Sequence, residues 1–290
     1  MVVTYVFAKV TTIEFMPDQI IPITRPSVVN AVPPVQRLGE SKFPTEVISL
    51  PSKGWFYPES NPLSSGTLEL KMMTAKEEDI LASQNLFQKK IVFDRLLESV
   101  VVNKHIKLDE MLICDRNAAF FAIRRLAYGD KYDVKLSCPR CAEENDVSID
   151  LSKMDNREFN FENYPRGENN FSFVLPNSKV KITFKLLTKK DETAIEEELK
   201  GREKVDKEYR KEITTRLFHV ITSVDGNGET ARIRRFVTEE FLSKDSIEFR
   251  KYIRDTMPDI NSTFDFVCSK CGAERREEVP IDRSFFWPNG

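Results

Sequence analysis

Histidine is scarce in this chain, with two in 290 residues, and there is no run of 18 apolar residues. The second absence excludes a transmembrane helix, so no membrane segment is expected. His105 and His219 each stand among apolar neighbours with no triad or ligand motif beside them, and both read as half-buried structural side chains. No Gly-x-Ser-x-Gly, Walker A loop, Gly-x-Gly-x-x-Gly or His-Glu-x-x-His occurs. A nucleophile elbow, a phosphate cradle, a dinucleotide turn and a zinc-protease helix are therefore all missing. No enzyme, no catalytic residue and no small-molecule substrate are expected. A distant carboxylate pair is the one catalytic arrangement that leaves no local motif. Strong charge of one sign is also lacking: the net charge of −2 gives no general attraction to nucleic acid or anionic membranes. Met1 to Phe15 has neither a charged start nor a small-residue cleavage site, and its loose alternation predicts an edge strand, not a signal sequence.

What is present is ordinary core material, 40% apolar residues with twenty-one Phe, and one distinctive motif used twice. Cys138-Pro139-Arg140-Cys141 and Cys268-Ser269-Lys270-Cys271 are Cys-x-x-Cys knuckles with 126 residues between them. Each lies between strand-like runs, Val134–Ser137 and Val147–Asp150 for the first, Phe264–Val267 and Val279–Asp282 for the second. Four thiolates from two such turns make a closed tetrahedral zinc site with no position left for a substrate. One structural zinc, bound by Cys138, Cys141, Cys268 and Cys271, is the expectation. Two reduced thiol pairs without metal, or redox chemistry, are the alternatives. A redox Cys-x-x-Cys usually stands alone beside a thioredoxin-like pattern, and disulfides need an oxidising compartment. Cys114, in Met111-Leu112-Ile113-Cys114, reads as a buried thiol. The turns themselves carry only Arg140 and Lys270, and Arg275-Arg276 is followed by Glu277-Glu278, so no basic face for nucleic acid is expected.

Along the chain, residues 16 to 45 contain six of the fifteen prolines and no helical period, which predicts an extended arm without a core of its own. Leu50–Pro58 is turn-rich and aromatic, and Gly66–Lys71 is strand-like. Two readings of Leu50–Pro58 are open: a turn packed on its own domain, or a docking peptide for a neighbour. In the second, residues 16 to 58 form an arm that orders on another subunit, anchored by Trp55, Phe56 and Tyr57. Thr74-Ala75-Lys76-Glu77 is a capping box opening a short helix to about Ser83. Residues 90 to 102 have helical spacing, and Asp115 is the expected N-cap of a helix that stops at Gly129. Phe171–Phe184 reads as a hairpin around Pro176–Lys179. Thr188 is expected to cap one long charged helix with the stripe Ile195, Leu199, Val205, Tyr209, Ile213 and Leu217. Asp225-Gly226-Asn227-Gly228 is a tight turn without the ligands of a calcium loop, and Thr238 is expected to cap the last helical region.

These signals predict an α+β fold: a zinc-ribbon-like unit built from two distant knuckles, with short helices and an inserted hairpin-plus-helix module. The expected organisation is an arm at 1–45, a helical and strand region at 46–155 ending in the first knuckle, an insertion at 156–261, and a second knuckle and tail at 262–290 that packs with 46–155.

Several short motifs, in order, are similar to one family. They are Leu50-Pro51-Ser52-Lys53-Gly54 with Phe56-Tyr57-Pro58, Leu63–Gly66, Met73–Leu81, Asp94–Leu97, Asp115-Arg116 and Arg124-Arg125-Leu126 with Tyr128-Gly129. Ile149-Asp150-Leu151, Arg250–Ile253, both knuckles and Phe285-Phe286-Trp287-Pro288 complete the set. The chain resembles the baseplate hub proteins of T-even-type contractile-tailed bacteriophages. The resemblance implies a virion protein of the tail baseplate, present in host cytoplasm during assembly, with other hub or wedge proteins as partners. An assembly factor that leaves before the virion is complete is the first alternative, and a zinc-ribbon protein that binds nucleic acid is the second. The resemblance implies no catalytic residues. Trp55, Phe56, Tyr57, Phe286 and Trp287 are the candidate interface side chains.

Overall fold

The computed structural model describes residues 44–88, 91–203, 211–281 and 283–286. The expected strand at Met1–Phe15, the proline-rich arm up to residue 43, Val205, Tyr209 and Trp287 lie outside the described residues. Helices are mixed with small antiparallel sheets, an α+β fold. None of the described helices is long and apolar enough to cross a membrane.

Strands β1 (Thr45–Ser49) and β2 (Thr67–Lys71) pair antiparallel and are joined by the aromatic loop. The loop closes on two glycines in the left-handed region, Gly54 and Gly66, at φ 71° and 75°. A Cβ on Gly54 would stand 2.5 Å from the Gly66 nitrogen, and one on Gly66 would stand 2.6 Å from the Lys53 carbonyl oxygen, so only glycine fits at either position. After β2, Thr74 opens α1 (Ala75–Ala82) through the capping box read from sequence, with Glu77 accepting from the Thr74 N–H at 2.8 Å. Glu77 is buried and also takes hydrogen bonds from Lys71 and Ser99. Burial pulls its pKa upward, but those donors prevail and hold it at about 2.

Helix α2 (Gln84–Gln88) leads to α3 (Val92–Val100), whose Leu96, Leu97 and Val100 are buried. Helix α4 (Ile113–Tyr128) is the central element and ends at Gly129, φ 79°, as its sequence predicts. Its start corrects the expectation: Leu112 is the N-cap, with an extended backbone (φ −62°, ψ 144°) and a carbonyl that accepts from the Arg116 N–H at 3.0 Å, and the Ile113 N–H bonds to the Leu187 carbonyl at 2.9 Å. Asp115 is instead buried inside the first turn and accepts from the Ser52 N–H at 2.9 Å, the Ser52 hydroxyl at 2.7 Å and the Tyr57 hydroxyl at 2.7 Å. Tyr57 in turn accepts from the Leu112 N–H at 2.8 Å. The Leu50–Pro58 stretch is thus bolted to α4 of its own chain.

The middle of the chain holds β5 (Phe171–Val174) and β6 (Lys181–Phe184), the hairpin legible in the sequence, and a third strand, β7 (Ile221–Val224), beside β6. Thr188 caps α5 (Lys189–Glu203) as expected. The single long helix does not form, since α6 (Glu212–Val220) is a separate helix packed on α5. Arg216 of α6 meets Glu192 at 2.7 Å and His219 meets Glu198 at 3.2 Å, pairs that one continuous helix would hold about 36 Å and about 32 Å apart. His219 is half-buried as expected, whereas His105 is exposed. Helix α7 (Thr230–Arg235) runs into a π-helical turn, Phe236–Glu240, and α8 (Ser243–Thr256) follows. Thr238 lies within that π turn and bonds back to the Arg234 carbonyl at 2.8 Å, so it caps nothing.

Hairpins β3 (Lys131–Ser137) with β4 (Glu144–Asp150) and β8 (Thr263–Val267) with β9 (Glu274–Glu278) carry the two knuckles at their turns. The chain then returns through α9 (Arg283–Phe286), where Phe285 packs on Phe121 and Tyr132 and Phe286 packs on Phe93 and Phe120. One contiguous core extends from Leu50 to Phe286 and takes in residues of β5, β6, β7 and α8.

Candidate metal centre

Alternation along the two knuckle hairpins decides how they meet. Leu136 and Val147 of one and Phe264 and Phe266 of the other are turned toward a small second cluster that includes Cys138 and Cys268. Packing these faces brings the two turns tip to tip. The Cys138 and Cys271 sulfurs are 3.7 Å apart, the Cys141 and Cys268 sulfurs 3.6 Å, and all four Sγ atoms lie within 4.8 Å of one another. A disulfide needs about 2.05 Å, so these contacts are not bridges. A regular tetrahedron of sulfurs at about 2.3 Å from a zinc ion has edges of about 3.8 Å, and the two short cross-pairs fit that dimension. Each close pair combines one cysteine from each hairpin, so an ion here would join the hairpins, not close either turn on itself.

The two knuckles are one local structure built twice. Cys138 N–H donates to the Glu143 carbonyl at 2.8 Å and Ala142 N–H to the Cys138 carbonyl at 2.7 Å; Cys268 to Ala273 and Gly272 to Cys268 repeat this at 3.0 Å each. The residue after each second cysteine is left-handed, Ala142 at φ 57° and Gly272 at φ 65°. Cys138 and Cys268 are buried, while Cys141 and Cys271 are half-buried.

Electrostatics divides the four thiols. Burial pushes the Cys138 pKa up, but the N–H groups of Cys141 and Arg140 outweigh it and the net shift is downward. At Cys268 the Cys271 N–H is the main influence, supported by that of Lys270 against burial, and the pKa falls to about 6. The first cysteine of each knuckle is therefore disposed toward the thiolate, the form that binds metal. Cys141 receives a lowering contribution through Glu143, but burial and hydrogen bonding to the other three thiols prevail and raise it to about 12. Four thiols so close cannot all ionise without a cation among them. Asn145 supports the site from β4: its amide donates to the Cys268 sulfur at 3.8 Å while its oxygen accepts from the Ser269 N–H and hydroxyl at 2.8 Å each. It is the kind of outer partner that fixes a ligand's orientation, and nothing in its local sequence marks it. Lys270 pairs with Glu143 at 2.5 Å across the two turns, so one of the two basic knuckle residues is already neutralised.

The candidate interface side chains fall elsewhere. Phe56 and Tyr57 are 3% and 4% exposed and Phe286 is fully buried, so all three serve the core of their own chain. Trp55 is half-buried, donates through Nε1 to the Tyr164 carbonyl at 2.9 Å and carries the Arg166 guanidinium over its ring. Cys114 is buried at the start of α4, as expected of a core thiol.

Fold and site together define an α+β protein whose distant segments meet at a four-thiol centre. Residues 56–287 match the family of T4 bacteriophage base plate proteins, well over half of the chain, and the protein belongs to that family. Membership implies a place in the phage tail baseplate, with other phage structural proteins as partners, and a structural role. No curated protein and no solved structure matches.

Proposed function

We propose that the protein is a resident structural subunit of the baseplate hub region, held in shape by one zinc bound to Cys138, Cys141, Cys268 and Cys271. The observation that carries this reading is the cross-paired geometry of the four sulfurs, 3.7 and 3.6 Å between knuckles that are far apart in sequence. A four-thiolate zinc is saturated by protein ligands, so its chemistry is cohesion. The two hairpins then make a zinc-ribbon-like unit in which residues 262–290 return to 46–155, with 156–261 inserted between them and 1–45 as an arm. The protein is not catalytic in this reading. It fixes a surface for neighbouring hub or wedge proteins, with Trp55 and Trp287 as the remaining aromatic candidates for contact. It resides in host cytoplasm until it joins the tail.

Quantitative mass spectrometry of purified virions, alongside lysates of infected cells, tests residence. The protein is expected in virions at a fixed ratio to other baseplate proteins. Presence in lysates but absence from virions would make it an assembly factor instead.

A further inference from the structure

A cavity of about 170 Å³ lies where three stretches of the chain meet: the start of α4, the α5 and α6 pair with residues 185–187 before it, and the segment 257–281 that carries the second knuckle. Its walls are mostly apolar, with Ile113, Phe121, Leu187, Val220, Ile260 and Ile281 among them. Asp259 lines the same cavity and is half-buried. Its Oδ1 accepts from the Ile260 N–H at 2.8 Å and from the Asn117 amide at 3.5 Å. Among the described residues, nothing donates to its Oδ2. Burial raises the Asp259 pKa to about 6, against the Ile260 N–H, the Arg157 charge and the Asn117 amide. A carboxylate set in an apolar wall with one oxygen uncommitted is costly unless a cation or a donor reaches it.

Charges along the lining identify what is missing. Lys185 pairs with Asp191 at 2.6 Å, Arg216 with Glu192 at 2.7 Å, Arg254 with Asp255 at 2.8 Å and Glu196 with Lys200 at 3.8 Å. Arg157 directs its Nη1 donors to the carbonyls of Arg254 and Met257, the latter at 2.9 Å. Its charge is then set against two carboxylates of the lining, Asp259 and Glu278, for which no salt bridge is found among the described residues. The lining is short of one positive charge. We propose that this cavity binds a primary alkylammonium group, with the alkyl part against Ile113, Leu187, Val220 and Ile281 and the ammonium on Asp259 Oδ2. A dry cavity of about 150 Å³ with aliphatic and aromatic walls takes up benzene, which has as many heavy atoms as n-pentylamine, so size and charge agree. The same chemistry is offered by a free small amine and by a lysine side chain of a neighbouring protein, whose stem is apolar and whose tip is charged. An anionic ligand would face two carboxylates and basic groups that already have acceptors.

Methyl NMR of the full chain, titrated with n-pentylamine at neutral pH where the amine is charged, tests this. Saturable shifts are expected at the methyl groups of Ile113, Leu187, Val220, Ile260 and Ile281, with a dissociation constant on the order of 1 mM. n-Pentanol, equal in size but neutral, should bind at least about tenfold more weakly, since it lacks the charged hydrogen bond to Asp259. Methylamine, charged but without the chain, should leave these methyl groups unmoved. Asp259→Asn keeps an oxygen for the Ile260 N–H and should bring n-pentylamine down to the level of n-pentanol. Nα-acetyl-lysine amide separates the two sources: shifts like those with n-pentylamine assign the cavity to a partner's lysine side chain, and their absence assigns it to a free amine. No saturable shift with n-pentylamine, n-pentanol binding as tightly as the amine, or undiminished amine binding by Asp259→Asn would each overturn the proposal, and the first two outcomes require no variant to fold.

Discussion

Replacing Cys268 by Ser is expected to abolish metal binding and to open the chain from about Phe264 to Phe286 to protease. Four-thiolate zinc binding is worth on the order of 10 kcal/mol in small zinc domains, comparable with the whole stability of a domain. A zinc bound here would close a loop of 126 residues, whose closure is otherwise an entropic cost to the folded state. Damage should spread beyond the knuckle, because the segment that follows β9 supplies Val279, Ile281, Phe285 and Phe286 to the main core. Chelation of the parent protein should produce the same new cleavage sites. Resistance unchanged by both treatments would mean that the phenylalanines of α9 hold the end in place without help from a metal.

Asp115→Ala is the second large effect, an expected loss of about 3–5 kcal/mol in denaturant unfolding. The substitution leaves the Ser52 N–H, the Ser52 hydroxyl and the Tyr57 hydroxyl without their common acceptor in a fully buried site. Burial already raises the Asp115 pKa, and the hydrogen bonds from Ser52 and Tyr57 oppose that rise. Asp115→Asn should be milder, about 1–2 kcal/mol, since one amide orientation keeps an oxygen on the Ser52 N–H while both hydroxyls rotate to accept from its NH₂ group. Tyr57→Phe should also cost about 1–2 kcal/mol by stranding the Leu112 N–H. An alanine variant within about 1 kcal/mol of the parent would contradict the role of this network as the bolt between the aromatic loop and α4.

Features legible in the sequence share one property, that their partners are near in the chain. The capping box at Thr74, the cap at Thr188, the glycine stop of α4 and the hairpin of β5 and β6 each depend on residues a few positions apart, where chemistry fixes geometry. The knuckles are the exception: thiols with this spacing seek further thiols, so the remote pair could be matched from residue type alone. Elsewhere long-range partners were hidden. Asp115 has the look of an N-cap and is instead claimed by Ser52 and Tyr57, more than fifty residues earlier. Phe56, Tyr57 and Phe286 have the composition of interface anchors, yet burial of aromatic area serves an interior as well as an interface, and only the fold shows which. The mixed charges of 189–217 suit one solvated helix as well as two helices joined by Arg216–Glu192 and His219–Glu198.

X-ray absorption at the zinc edge, with metal content per chain from the same sample, tests the central claim most directly. One equivalent of zinc is expected, with about four sulfur neighbours near 2.3 Å and no nitrogen or oxygen in the shell. Two equivalents per chain, a mixed shell, or sulfur pairs at disulfide length in a metal-free protein would contradict it.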